Sequence, residues 1–116
     1  MSPFERAVGE AALKQMGTIP NIIKAVGEFA EAQQALCKYL VGPVDIEVLA
    51  SVHEELADAR IMLDRMLMIF DPTEVQEWQD SKLETMAQRL GVVILPTGEG
   101  ISETEGEARE HSGDQA

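Results

Sequence analysis

Apolar residues recur along this 116-residue chain at three- and four-residue intervals, the repeat of helices with one face turned inward. Gly17-Thr18-Ile19-Pro20, Val41-Gly42-Pro43, Asp71-Pro72 and Gly91 divide it into four such segments. The first, over 3–16, carries a narrow stripe of Phe4, Val8, Ala11 and Leu13. The second has Thr18 as N-cap and Pro20 in its first turn, where a missing N–H costs nothing. Its stripe is Ile22, Val26, Phe29, Leu36 and Leu40, with Ala30 and Cys37 beside it. The third, over 44–70, is apolar almost all round beyond Arg60, with Met62, Met66 and Met68 as adaptable packing. A helix of that kind is buried on more than one side, which in so short a chain implies a partner subunit. The fourth has Asp71 as N-cap, Pro72 at its first position and Glu74 placed for a capping box. Val75, Trp78, Leu83, Met86 and Leu90 form its inner face, and Gly91 ends it. Residues 92–95 then pack back as a short apolar run. No strand alternation, repeat or βαβ pattern appears, so the expected fold class is all-α, a helical domain over 1–95 with a central antiparallel hairpin.

Charge narrows the possible partners. Nine Lys and Arg stand against 21 Asp and Glu, a net charge of −12. Binding to a DNA or RNA polymer or to an anionic membrane needs clustered basic groups, and these are absent. Six of the acids lie in 96–116 with one Arg, and that segment, rich in Gly, Glu and Ser, is expected to be a disordered acidic tail. The single Cys37 cannot form an intrachain disulfide, and no apolar run is long enough for a membrane span or a signal peptide. A cytoplasmic protein is expected.

The remaining acids include two short pairs. Glu28 and Glu31 on the second helix, and Glu55 and Asp58 on the third, are each spaced i, i+3, which puts both carboxylates on one helix face. Positions 28 and 58, and likewise 31 and 55, are centred on position 43 in the turn. An antiparallel hairpin folded there sets Glu28 level with Asp58 and Glu31 level with Glu55. Either pair alone reads as an ordinary solvated helix surface, the more so because Glu28 and Glu31 lie opposite the second helix's apolar stripe. Four carboxylates in one patch, however, repel unless a cation neutralises them, and Mg²⁺ takes such oxygen ligands. Glu55 and Asp58 are read as neighbours of Met62 and Ile69 rather than of Arg65. Gly27, Ala32 and Ala35 leave room for a ligand on the acid face, and Lys24 and Lys38 flank the glutamates there, as suits a polyphosphate.

These residues carry a resemblance. The segment from Glu28 through Glu31 to Lys38 and Leu40, followed by Glu54-Glu55-Leu56-Ala57-Asp58, resembles the MazG-like superfamily of all-α nucleoside triphosphate pyrophosphohydrolases, whose pattern is EExxE, a spacer, then ExxD. The likeness runs from about Ala11 to Leu90 and includes Trp78, Lys82, Leu83, Arg89 and Leu90. It implies a four-helix bundle working as a homodimer or homotetramer. It also implies hydrolysis of a (deoxy)nucleoside triphosphate to the monophosphate and pyrophosphate with Mg²⁺, or Mn²⁺ in its place. The metal ligands and catalytic residues would be Glu28, Glu31, Glu55 and Asp58, with Lys24, Lys38, Lys82 and Trp78 as substrate contacts. One position departs from the pattern: Gly27 stands where the first Glu of EExxE belongs.

Other residues read as structural: His53 as a core-edge or partly solvated side chain, Trp78 as an anchor for the fourth helix, and Cys37 as a small core residue. The rival class is a non-catalytic homo-oligomeric helical interaction module whose acids are soluble surface or a vestigial site.

Overall fold

A computed structural model describes residues 1–95 and 100–102 of the chain. It contains four helices, α1 (Pro3–Met16), α2 (Thr18–Val41), α3 (Ile46–Met66) and α4 (Pro72–Leu90), and two short strands, β1 (Val92–Ile94) and β2 (Gly100–Ser102). The chain divides into two compact units, Met1–Pro72 and Thr73–Ala116. None of the helices is long and apolar enough to cross a membrane, among the described residues.

Local chemistry sets the ends of the helices in the first unit. A capping box opens α1: the Glu5 N–H donates to the Ser2 hydroxyl (3.1 Å) and the Ser2 N–H to the Glu5 carboxylate (2.6 Å). Gly17, with φ +86°, turns the chain from α1 into α2, a conformation that favours glycine. Gly17, not Thr18, is the N-cap of α2, and Pro20 does fall in the first turn. Asn21 fastens this corner from within, its side-chain amide donating to the carbonyls of Ala12 (3.1 Å) and Gly17 (2.6 Å). Asp45 caps α3 by accepting the Val48 N–H at 2.8 Å.

The α2–α3 hairpin buries a seam different from the expected stripe. On α2 the buried positions are Asn21, Ala25, Ala32 and Ala35, with Glu28 half-buried between them. These steps of four and three residues give one face that stays against a partner helix. On α3 the matching row is Val52, Glu55, Ala59, Met62 and Arg65, of which Val52, Met62 and Arg65 are buried. Small alanines on α2 admit the α3 backbone closely, so Ala32 and Ala35 seat a helix and do not leave room for a ligand. The expected core stripe of α2 faces outward instead: Val26 is 64 % exposed, Leu40 79 %, and Phe29 and Leu36 are exposed too. Cys37 is exposed, not a core residue. On α1, Phe4 and Val8 are exposed, and Gly9 is the one buried residue.

In the second unit, α4 opens on Pro72 as expected, and Gly91 follows it with φ +68°. The side chains expected on its inner face, Val75, Trp78, Leu83, Met86 and Leu90, are all exposed, Trp78 by 68 %. Residues 92–94 form a strand instead of a packed-back run and pair antiparallel with 100–102, Val93 opposite Ile101. Three-residue strands are too short to leave an alternation in the sequence. Strand β2 falls inside the segment read as a disordered tail; 96–99 and 103–116, the rest of that segment, lie outside the described residues.

Candidate metal centre

The hairpin brings acids from both helices together. One oxygen from each of Glu28, Glu31 and Glu55 lies within 4.8 Å of the others. Glu28 and Glu31 are a turn apart on α2, and Glu55 faces them from α3, as folding about position 43 requires. Glu28 and Glu55 are half-buried and Glu31 is exposed, so the group has a dry side and an open side. Asp58, the fourth expected carboxylate, is half-buried and close enough for its charge to act on both Glu28 and Glu55, but it is outside the 4.8 Å group.

Electrostatics mark the same two residues. Burial, and then the charges of Glu31 and Asp58, push the Glu28 carboxyl above its ordinary value. Burial again leads for Glu55, followed by Glu31, Asp58 and Glu28. Each of the two also buries one oxygen, Oε2, that finds no hydrogen-bond partner. Buried polar atoms in proteins are nearly always paired, so two orphaned carboxylate oxygens in one patch have capacity for a further partner, a proton or a cation. The donor set, carboxylate oxygens from two rigid helices, fits a hard divalent cation such as Mg²⁺ and offers nothing that a thiophilic metal prefers.

The cations expected around the patch are placed unevenly. Lys24 sits one turn before Glu28 and its charge partly offsets the rise in the Glu28 pKa. Lys38 is exposed in the last turn of α2, about 10 Å along the axis from Glu31. Lys82 and Trp78 lie on α4 in the second unit. His53 is exposed. At Gly27 an added Cβ would meet no atom within 4 Å.

Arg65 corrects one reading and reveals an omission. Seven residues separate it from Asp58, two full turns that return it to the same face, so the acids of α3 do lie on the Arg65 side. It is only 8 % exposed, and its Nε has no partner. Asn21, fully buried, was likewise no candidate from the sequence, although its spacing of seven from Glu28 was available to find it.

Set against known proteins, the chain matches no family model, no curated protein and no solved structure.

Proposed function

We propose that this chain is a Mg²⁺-dependent nucleoside triphosphate pyrophosphohydrolase, cleaving (deoxy)nucleoside triphosphates to the monophosphate and pyrophosphate. The observation that carries the proposal is the meeting of Glu28, Glu31 and Glu55 from two helices, two of them with an orphaned buried oxygen. Their spacing matches the motif of the MazG-like superfamily, with Asp58 as its last acid. In this reading Glu28, Glu31, Glu55 and Asp58 hold the metal. Bound there, Mg²⁺ supplies charge neutralisation of the triphosphate and polarisation of its phosphoryl oxygens. The chain's own part is positioning. Two packed helices fix the carboxylates, the exposed Glu31 side admits substrate and water, and Lys24, with Lys38 as a further contact, orients the nucleotide.

The working form is proposed to be a homodimer or homotetramer. Ile19, Ile23, Val26, Phe29, Leu36 and Leu40 leave a long apolar face of α2 exposed, more than a solitary helix pair keeps in water. A cytoplasmic setting fits an enzyme of nucleotide pools.

A second reading shares the fold without the chemistry, a homo-oligomeric interaction module with a degenerate site. Gly27, in place of the first motif acid, favours it. Phosphorus NMR of a nucleoside triphosphate incubated with the chain and Mg²⁺ separates the two. The enzyme gives monophosphate and pyrophosphate in equal amounts. Unchanged substrate leaves the module, and diphosphate with free phosphate would mean a different hydrolase.

A further inference from the structure

We infer that the cavity between α1 and the C-terminal half of α3 is a binding site for a small organic anion, an apolar ring or short chain carrying one carboxylate or phosphate. The cavity has a volume of about 150 Å³, and Phe4, Val8, Gly9, Ile61, Met68 and Arg65 line it. Its walls are otherwise mainly apolar, yet they include a guanidinium that is nine-tenths buried and whose Nε donor has no acceptor. A buried donor without an acceptor carries a desolvation cost. An anion in the cavity removes that penalty, and the planar fork of the guanidinium matches a carboxylate or phosphate with two parallel hydrogen bonds.

Two acids of the chain also line the cavity, but neither supplies the missing acceptor. The Glu5 carboxylate accepts the Ser2 N–H in the capping box and is held below its ordinary pKa chiefly by that bond, with the Arg60 charge adding to it. Asp64, the neighbouring residue on α3, makes no hydrogen bond to the Arg65 Nε. Gly9 lets another wall of the cavity close in. Lacking a side chain, it lets the Met68 thioether cross the α1 backbone, where an added Cβ would come within 2.6 Å of the sulfur. Methionine adapts to the shape of what it contacts, and a volume of this order suits a single ring. The site is two turns of α3, about 10 Å, from Asp58 and does not depend on the proposed hydrolysis.

The test uses the full chain labelled at methionine methyl carbons, with the Met68 signal assigned by Met68→Leu. Benzoate and phenyl phosphate are titrated as probes, and benzyl alcohol serves as the neutral ring. Expected is a saturable shift of the Met68 methyl with Kd on the order of 1 mM for at least one anion, the usual range for ligands of this size. Which anion binds assigns the head group. Benzyl alcohol should bind at least about tenfold more weakly, and Arg65→Met should abolish the anion response while Arg65→Lys weakens it. If neither anion moves the Met68 signal, or benzyl alcohol matches them, the inference is overturned, and the wild-type titrations decide this even if a variant fails to fold. Unchanged anion binding by a folded Arg65→Met protein overturns it as well.

Discussion

Glu28 on α2 and Glu55 on α3 each bury an Oε2 atom with no hydrogen-bond partner in the same patch, and the charge of Glu28 helps raise the pKa of Glu55. Two helices that pack through alanines thus hold apart-repelling groups together. The hairpin keeps them there because Met62, Val52 and the small residues of α2 stabilise the seam around them.

That strain has a pH signature. A raised carboxyl binds its proton more tightly in the folded chain than in the unfolded one, where the ordinary value is 4.5. Its stabilising contribution is complete below that value and is lost as pH rises through the higher folded value. Without metal, Glu55→Gln is therefore expected to melt above wild type near neutral pH, and the difference should vanish at roughly pH 4. Glu5, whose pKa is lowered by the Ser2 N–H, works in the opposite direction but is common to both proteins. Thermal melts in EDTA at the two pH values check this.

Divalent cations should reverse the effect. Mg²⁺ bound only to the folded chain raises stability by about 2.7 kcal/mol at a hundredfold excess over Kd. The melting temperature of the wild type is expected to climb with Mg²⁺ or Mn²⁺, and that of Glu28→Gln/Glu55→Gln to stay level. Equal shifts in both proteins would place the ion elsewhere.

Gly27 offers a gain of stability and, separately, of function. It lies inside α2, and a Cβ there meets nothing within 4 Å. Gly27→Ala is expected to stabilise the chain by about 0.5–1 kcal/mol in urea denaturation. Gly27→Glu should fold equally well, restore the acid of the EExxE pattern and raise the hydrolysis rate.

Asn21, at the α1–α2 corner, and Met62, in the hairpin, should both behave as core residues. Asn21→Ala removes the two side-chain hydrogen bonds to the Ala12 and Gly17 carbonyls and is expected to cost about 1–3 kcal/mol. Met62, 4 % exposed, should cost about 2–5 kcal/mol on change to Ala. Denaturant midpoints read both.

The exposed stripe of α2 predicts association. Val26→Asp and Leu40→Asp change side chains that touch little within the chain, so each is expected to alter the stability of an isolated chain by only about 0.5 kcal/mol. In an oligomer built on that face they should dissociate it. Light scattering after gel filtration should give a multiple of 12.7 kDa for wild type and a smaller mass for the variants.

Much of this was legible in the sequence, for identifiable reasons. Gly and Pro mark the helix junctions directly, and α1 spans 3–16 as expected. The meeting of Glu28, Glu31 and Glu55 followed from the turn position alone, because an antiparallel hairpin has one symmetric pairing. The buried face of α2 was not legible. Its large apolar residues drew the inner stripe to Val26 and Leu40, whereas within the chain close packing selected the alanines. Arg65 escaped notice because a charge is expected outside, although a spacing of three from Met62 places it beside a buried position of α3. Strands β1 and β2 are too short to give a periodic signal.

The most direct test of the central claim is pyrophosphate release, measured with Mg²⁺ across a panel of ribo- and deoxynucleoside triphosphates, for wild type, Glu55→Gln and Asp58→Asn. The expected result is release from at least one nucleotide by the wild type and a loss of about 10²-fold or more in both variants. A wild type inactive on every nucleotide with either Mg²⁺ or Mn²⁺, or variants as active as the wild type, would contradict it.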